Sequence, residues 1–115
     1  MILKAEDLDN GVRKITLDGR LDLSGVGSVE LPLTSHASAK KAAIIVDMAK
    51  VTFIASLGMR LLMQCAKAQK NRGGKMVIYS LTPMVYKALS SAGIDTLVPI
   101  YDDEESATQA AQAAQ

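Results

Sequence analysis

The chain has 115 residues, a length that fits one domain of the usual size of about 100–150 residues. It is 49% hydrophobic but only 3% aromatic, which predicts a compact, ordered domain with an aliphatic core. The formal net charge of +1, from 13 basic and 12 acidic residues, argues against nucleic-acid binding, and the single cysteine and single histidine argue against a disulfide or a zinc site.

The amino-terminal part predicts a cytoplasmic protein that opens with a β-hairpin. Its sequence turns acidic at Glu6, before a signal-peptide core could form. The longest apolar run, 42–46, is far shorter than the roughly 20 residues of a membrane helix, so we expect no membrane insertion. Asn10-Gly11 favours a tight turn between two short strands, the second over residues 13–19.

The segment after the second strand is the hardest to interpret. Gly25, Gly27 and Pro32 disfavour a helix, although Ser28 could cap one that holds the proline within about its first turn. We predict a loop and then a helix that ends near Lys41.

The middle of the chain predicts a buried strand followed by a helix. Residues 42–46 are apolar on both faces, which is typical of a central strand, and Gly73 can adopt the left-handed conformation that ends a helix. The segments predicted after this strand are a polar loop at 47–52, a short strand at 53–54, a helix at 57–71 and a strand at 76–79.

The carboxyl-terminal part predicts two more helices around a short strand. Thr82-Pro83 is typical of a helix start, with threonine as the N-cap and proline in the first turn. The strand is predicted over 96–101, and Asp102 with Glu105 resembles the capping box of a last helix. That helix is predicted to fray into the Ala/Gln-rich tail at 107–115.

The predicted order of elements is ββαβαβαβα over a single domain, residues 1–115. Strands that alternate with helices favour parallel pairing through right-handed crossovers, whereas the opening hairpin adds an antiparallel strand. We therefore predict an α/β fold with a mixed, mostly parallel sheet of about five strands and four helices packed on it.

Ser56 is the candidate functional residue, because it lies where the short strand at 53–54 runs into a helix. A nucleophile elbow is excluded, since that motif needs glycine two positions before the serine and Ile54 stands there. Ser56 could cap the helix by accepting hydrogen bonds from the amides of Gly58 or Met59. It could also be a modification site, since a phosphate at the start of a helix meets free N–H groups.

Several segments together resemble one known family. Gly19-Arg20-Leu21-Asp22 is similar to the G-x-L-D segment of STAS domains. Residues 46–59 resemble the central signature of these domains, roughly D-L-S-x-V-x-F-I-D-S-S-G-L. Later segments fit the family pattern in the same order: Gly73-Gly74-Lys75, Thr82-Pro83-Met84-Val85 and Gly93-Ile94-Asp95. The resemblance extends from about Val12 to Ala107, nearly the whole chain.

The resemblance implies an anti-sigma factor antagonist, which is a protein-binding switch and not an enzyme. The partner would be an anti-sigma factor that is also a serine kinase with an ATPase fold. That kinase would phosphorylate Ser56, and a phosphatase would reverse the modification. ATP and Mg²⁺ would belong to the kinase, so no cofactor is expected in this chain. By the same resemblance, Asp22 would lie beside the phosphoacceptor, and Leu57, Gly58 and Met59 would form the partner-docking edge.

Two residues depart from the family signature, and other STAS roles stay open. Ala55 replaces the aspartate that usually precedes the acceptor, and Leu57 replaces a second hydroxyl residue. The chain could instead be a soluble accessory subunit of a lipid ATP-binding transporter, where Ser56 would only cap a helix. It could also be a scaffold subunit of a stress-sensing complex. A homodimer is compatible with all of these roles.

Overall fold

The computed structural model describes residues 1–38, 40 and 42–113, which form one sheet with helices on both faces. The strands are β1 (Ile2–Asp7), β2 (Val12–Leu21), β3 (Ala43–Ile54), β4 (Lys75–Tyr79) and β5 (Ile100–Tyr101). The helices are α1 (Leu23–Ser38), α2 (Ser56–Asn71), α3 (Pro83–Ser91) and α4 (Glu104–Ala113).

The strands lie in the order β1-β2-β3-β4-β5, with β1 antiparallel to β2 and every later pair parallel. Crossovers between parallel neighbours are right-handed, so α1, α2 and α3 pack on one face, where their buried residues form the larger hydrophobic cluster. Ala107 and Ala111 of α4 pack on the opposite face against Val12, Ile45 and Val77. The predicted α/β fold with an antiparallel hairpin is confirmed.

Strand β3 is continuous, whereas the sequence predicted a polar loop at 47–52. That prediction was wrong, because β2 continues to pair with this part of β3. Strand β4 pairs with β3 only as far as Asp47. Beyond that point β3 pairs with β2 alone, and the side chains of Lys50 and Thr52 are exposed. A strand with one open side tolerates polar residues that a central strand would not.

Helix α1 begins at Leu23, earlier than the sequence predicted. The residue that caps it is Asp22 and not Ser28, because Oδ1 of Asp22 accepts a 2.8 Å hydrogen bond from the amide of Gly25. This side chain satisfies one of the first-turn amides that would otherwise lack a partner. The glycines that favoured a loop are therefore part of the helix.

Pro32 is exposed in the interior of α1, where its missing N–H removes one helical hydrogen bond. Burial of the inward side of the helix offsets this loss. The buried side chains on that side are Val26, Val29, Leu33 and Ala37. The helix ends at Ser38, and the predicted end near Lys41 lies outside the described residues.

The last strand is shorter than the predicted strand at 96–101. Only Ile100–Tyr101 pairs with β4, and Ile94–Thr96 forms a 3-10 turn. The amides of Leu97 and Val98 both donate to the carbonyl of Ile94 at 2.9 Å, so these residues continue a turn and cannot reach a strand partner.

The segment predicted to fray, 107–115, is a packed helix as far as the structure describes it. Its cap is one residue later than the predicted Asp102, because Oδ1 of Asp103 accepts a 2.8 Å hydrogen bond from an amide in the first turn. Ala107 and Ala111 are fully buried against the sheet, and this contact holds the helix in place. The last two residues lie outside the described part of the chain.

Gln69 joins α2 to the connection between α1 and β3. Its side chain is fully buried, with Nε2 donating to the carbonyls of Ala37 at 2.8 Å and Lys40 at 2.7 Å. Its Oε1 accepts from the amide of Ala42 at 2.9 Å. The substitution Gln69→Leu leaves all these groups without partners, and each such buried group costs about 1–3 kcal/mol. We expect urea denaturation to show a free energy of unfolding lower by about 3 kcal/mol.

The matched control is Gln64→Leu, because Gln64 is exposed on the same helix. This change should alter the free energy of unfolding by less than about 0.5 kcal/mol. A loss below about 1 kcal/mol in Gln69→Leu would contradict the bonding role of the buried amide.

Candidate functional site

Ser56 is the first residue of α2, at the point where β3 ends, and its side chain is exposed. The N-cap of this helix is Ala55, with φ −97° and ψ 171°, and it has no side chain that could accept a hydrogen bond. The amide of Met59 donates to the carbonyl of Ala55 at 3.1 Å. The interpretation of Ser56 as the N-cap was therefore wrong by one residue, and the first turn of α2 has no side-chain cap.

Asp22 and Ser56 lie on either side of a backbone hydrogen bond that joins the ends of β2 and β3. The amide of Ala55 donates to the carbonyl of Leu21 at 2.9 Å. Asp22 follows Leu21 and Ser56 follows Ala55, so the structure brings both predicted site residues to the same edge of the sheet. This edge also holds the start of α1.

The carboxylate of Asp22 is already bonded within the domain. The hydrogen bond from the Gly25 amide holds the pKa of this carboxyl below its ordinary value, and Arg20 adds to the effect through an Nε–Oδ2 distance of 3.4 Å. The carboxylate is thus ionised at neutral pH. It contributes a fixed negative charge at the sheet edge that also holds Ser56.

Arg20 is a site residue that the sequence did not single out. Its guanidinium carbon lies 4.4 Å from the centroid of the Phe53 ring, on the neighbouring strand, in addition to the contact with Asp22. A cation over an aromatic ring at this distance is attracted by the electrons of the ring. Both contacts draw the long side chain of Arg20 towards the sheet edge.

The predicted docking residues differ in exposure. Leu57 is 42% exposed, and Met59 is partly buried against the main core. Gly58 is buried, and a Cβ atom there would lie 2.9 Å from Cβ of Leu21 and 3.0 Å from Cγ1 of Ile54. The absence of a side chain at Gly58 permits a close approach between α2 and the sheet, and its place on the docking edge stays a prediction. Leu57 is the most accessible apolar side chain of the three.

Other candidate chemistry is not assembled in the described part of the chain. Cys65 is buried, and burial raises the pKa of its thiol to about 11, so it behaves as a small hydrophobic residue. Nδ1 of His36 lies 3.2 Å from an Arg13 nitrogen. Among the described residues, no cluster of three acidic, histidine or cysteine side chains is arranged to hold a metal ion. Nor does any described helix have the length and apolar character to span a bilayer.

The chain thus combines a mixed five-stranded sheet with an exposed serine at the start of its second helix. The family model described as STAS domain matches residues 7–107. The chain therefore belongs to the STAS domain family, as its motifs predicted.

Relatives of this chain include anti-sigma factor antagonists. One from Paenibacillus polymyxa, an anti-sigma F factor antagonist, is 26% identical over 98 residues, which cover 84% of each sequence. The crystal structure of an anti-sigma factor antagonist from Mycobacterium paratuberculosis is similar with a TM-score of 0.85 and 20% identity, covering 96% of this chain and 93% of that one.

The anti-sigma factor antagonist SpoIIAA has been solved in two forms that resemble this chain. The unphosphorylated form gives a TM-score of 0.78 at 18% identity and covers 97% of both chains. The phosphorylated form of the Bacillus protein gives 0.69 at 17% identity, covering 95% of this chain and 99% of that one.

The same fold also occurs within a membrane transporter. The murine anion transporter Slc26a9 is similar with a TM-score of 0.75 and 18% identity, over 90% of this chain and 18% of the transporter. Likeness at this level of identity establishes the fold alone.

Proposed function

We propose that the protein is an anti-sigma factor antagonist whose partner binding is switched by phosphorylation of Ser56. In this proposal the unphosphorylated chain binds an anti-sigma factor that is also a serine kinase with an ATPase fold. Phosphorylation by that kinase dissociates the complex, and a phosphatase removes the phosphate and restores binding. The names of the relatives support the antagonist role, and the geometry at Ser56 supports the switch.

The observation that carries the proposal is the exposed hydroxyl of Ser56 in an uncapped first helical turn. The N–H groups of this turn point towards the amino-terminal end of α2. The turn has no acidic side chain that could accept hydrogen bonds from them. A phosphate on Ser56 would meet these amides without any rearrangement of the core. The modification would therefore change the charge of the surface and leave the fold intact.

The expected chemistry is a phosphoryl transfer carried out by the partner. Oγ of Ser56 attacks the γ-phosphorus of ATP, the bond to the leaving ADP breaks, and the serine proton passes to a base of the kinase. ATP and Mg²⁺ are bound by the kinase, and this chain supplies the acceptor. The catalytic groups belong to the partner, so we assign no enzymatic activity to the chain.

The charge at this edge explains how phosphorylation would end binding. The phosphate adds about −1.5 to −2 charges at neutral pH. Asp22 already contributes a negative charge across the Ala55–Leu21 hydrogen bond. A partner surface that covers Leu57 and accepts the neutral serine would have to desolvate the phosphate as well, near a charge of the same sign, at an added cost of several kcal/mol.

The test is incubation with the kinase, ATP and Mg²⁺, followed by mapping of the phosphorylated residue by mass spectrometry. We expect a single phosphate on Ser56 and no incorporation in Ser56→Ala. Ser24→Ala is the matched control, because Ser24 is an exposed serine in the first turn of α1 and its loss should leave labelling unchanged. Phosphate on another residue, or full labelling of Ser56→Ala, would refute the assignment.

A second candidate is a constitutive docking role in a transport system. The replacement of the usual aspartate by Ala55 favours it, and Slc26a9 shows that the fold also occurs within a transporter. In that role the partner would be a membrane permease, and Ser56 would stay unmodified. Co-purification separates the two: an ATPase-fold regulator supports the switch, whereas a permease complex supports the docking role.

A further inference from the structure

We propose that Arg60 is the intramolecular partner of the phosphate on Ser56, an inference that rests on the phosphorylation proposed above. The pairing makes no covalent bond. It places a cation of this chain against the new anion, so that the phosphate is held along α2 and does not project freely from the edge.

The spacing of the two residues carries this inference. Ser56 and Arg60 are both exposed residues of α2, four positions apart. Side chains at this spacing lie on the same helix face, with Cβ atoms about 5–6 Å apart. Helical side chains tilt towards the amino terminus, so we expect the Arg60 side chain to reach towards the turn that holds Ser56. An anion placed four residues before a cation is also the more favourable orientation of such a pair.

Arg60 is free to take this role, whereas the other nearby cation is engaged. Within the described residues, the ion pairs are formed by Arg13, Lys14 and Arg20, and none includes Arg60. Arg20 is bound to Asp22 and lies over Phe53. A guanidinium can bind two phosphate oxygens at once, which suits Arg60 better than a lysine at the same place.

The pairing gives the switch a second component. In the unphosphorylated protein Arg60 lies on the same exposed side of α2 as Leu57, where it is open to an acidic group of the partner. After phosphorylation the guanidinium turns to the phosphate. The partner then meets a new negative charge and also loses a positive one.

The test uses protein in which phosphoserine is incorporated at position 56 during synthesis, so that no kinase is needed. Phosphorus NMR follows the second ionisation of the phosphate, which has an ordinary pKa of about 6. At low salt, Arg60→Gln should raise this pKa by about 0.2–0.4 pH unit relative to the wild type, because the cation that favours the dianion is removed. The difference should disappear in about 1 M salt, where exposed pairs are screened.

Three further variants complete the experiment. Arg72→Gln, beyond the far end of α2, should leave the pKa of the phosphate unchanged, and Arg60→Lys should keep part of the effect. Equal pKa values in Arg60→Gln and wild type would overturn the inference. The inference would also be wrong if Arg20→Gln, and not Arg60→Gln, changed the pKa of the phosphate. It would likewise be wrong if Arg72→Gln changed this pKa as much as Arg60→Gln does. If the kinase does not label Ser56 but Arg60→Gln still shifts the pKa of the phosphate as expected, the phosphorylation proposal is wrong and the pairing with Arg60 is kept.

Discussion

Replacing Ser56 with glutamate is expected to weaken binding of the anti-sigma factor by at least about a hundredfold, which corresponds to about 2.8 kcal/mol. The glutamate adds a negative charge to the sheet edge that already holds the ionised carboxylate of Asp22 and whose accessible apolar group is Leu57. Burying this added charge in an interface that accepts a neutral serine costs several kcal/mol. Isothermal titration of wild type and variant with the anti-sigma factor measures the difference.

Two controls define what this result means. Ser56→Ala removes the hydroxyl without adding charge and should bind within about threefold of the wild type, since a single exposed hydroxyl contributes little. Ser35→Glu adds the same charge to an exposed position near the other end of α1 and should have no effect on binding. Equal affinities for Ser56→Glu and wild type would mean that the edge is not a charge-sensitive interface, as in a constitutive docking domain.

The alternation of strands and helices could be predicted because most elements carry their own local pattern. The hydroxyl of Thr82 accepts from the amide of Val85 at 3.4 Å, as the Thr-Pro pair indicated. Elements that depend on distant neighbours were mispredicted. The polar half of β3 is a strand because β2 pairs with it, and α4 is ordered because two alanines reach the sheet.

The sequence predicted which residue is the candidate site, but not which side chains surround it. Ser56 stands out from its place between a strand and a helix, whereas its environment depends on the register of β2 and β3, which shifts twice before Arg20 meets Phe53. Gly19, which has φ 128° inside β2, marks the second of those shifts, and no such residue marks the first. The spacing of Ser56 and Arg60 was visible in the sequence, but it became informative once Ser56 proved to be a residue of α2 and not its cap.

Gly25→Ala is expected to lower the free energy of unfolding by about 3 kcal/mol, although alanine favours helices and the position lies inside α1. A Cβ atom at residue 25 would overlap the backbone carbonyl oxygen of Arg20 and would crowd Oδ1 of Asp22 at 3.3 Å. A backbone atom cannot rotate away as a side chain can, so the start of α1 must move. Urea denaturation of the variant measures the loss.

Gly27→Ala, two residues further along the same helix, should have the opposite effect. A Cβ atom at that position meets nothing within 4 Å, so the variant gains the helical preference of alanine, about 0.5–1 kcal/mol of stability. The pair separates local propensity from tertiary packing, because both variants make the same chemical change in one helix. If both raised the stability, the start of α1 would not lie against the end of β2, and Asp22 would not be held at the sheet edge that contains Ser56.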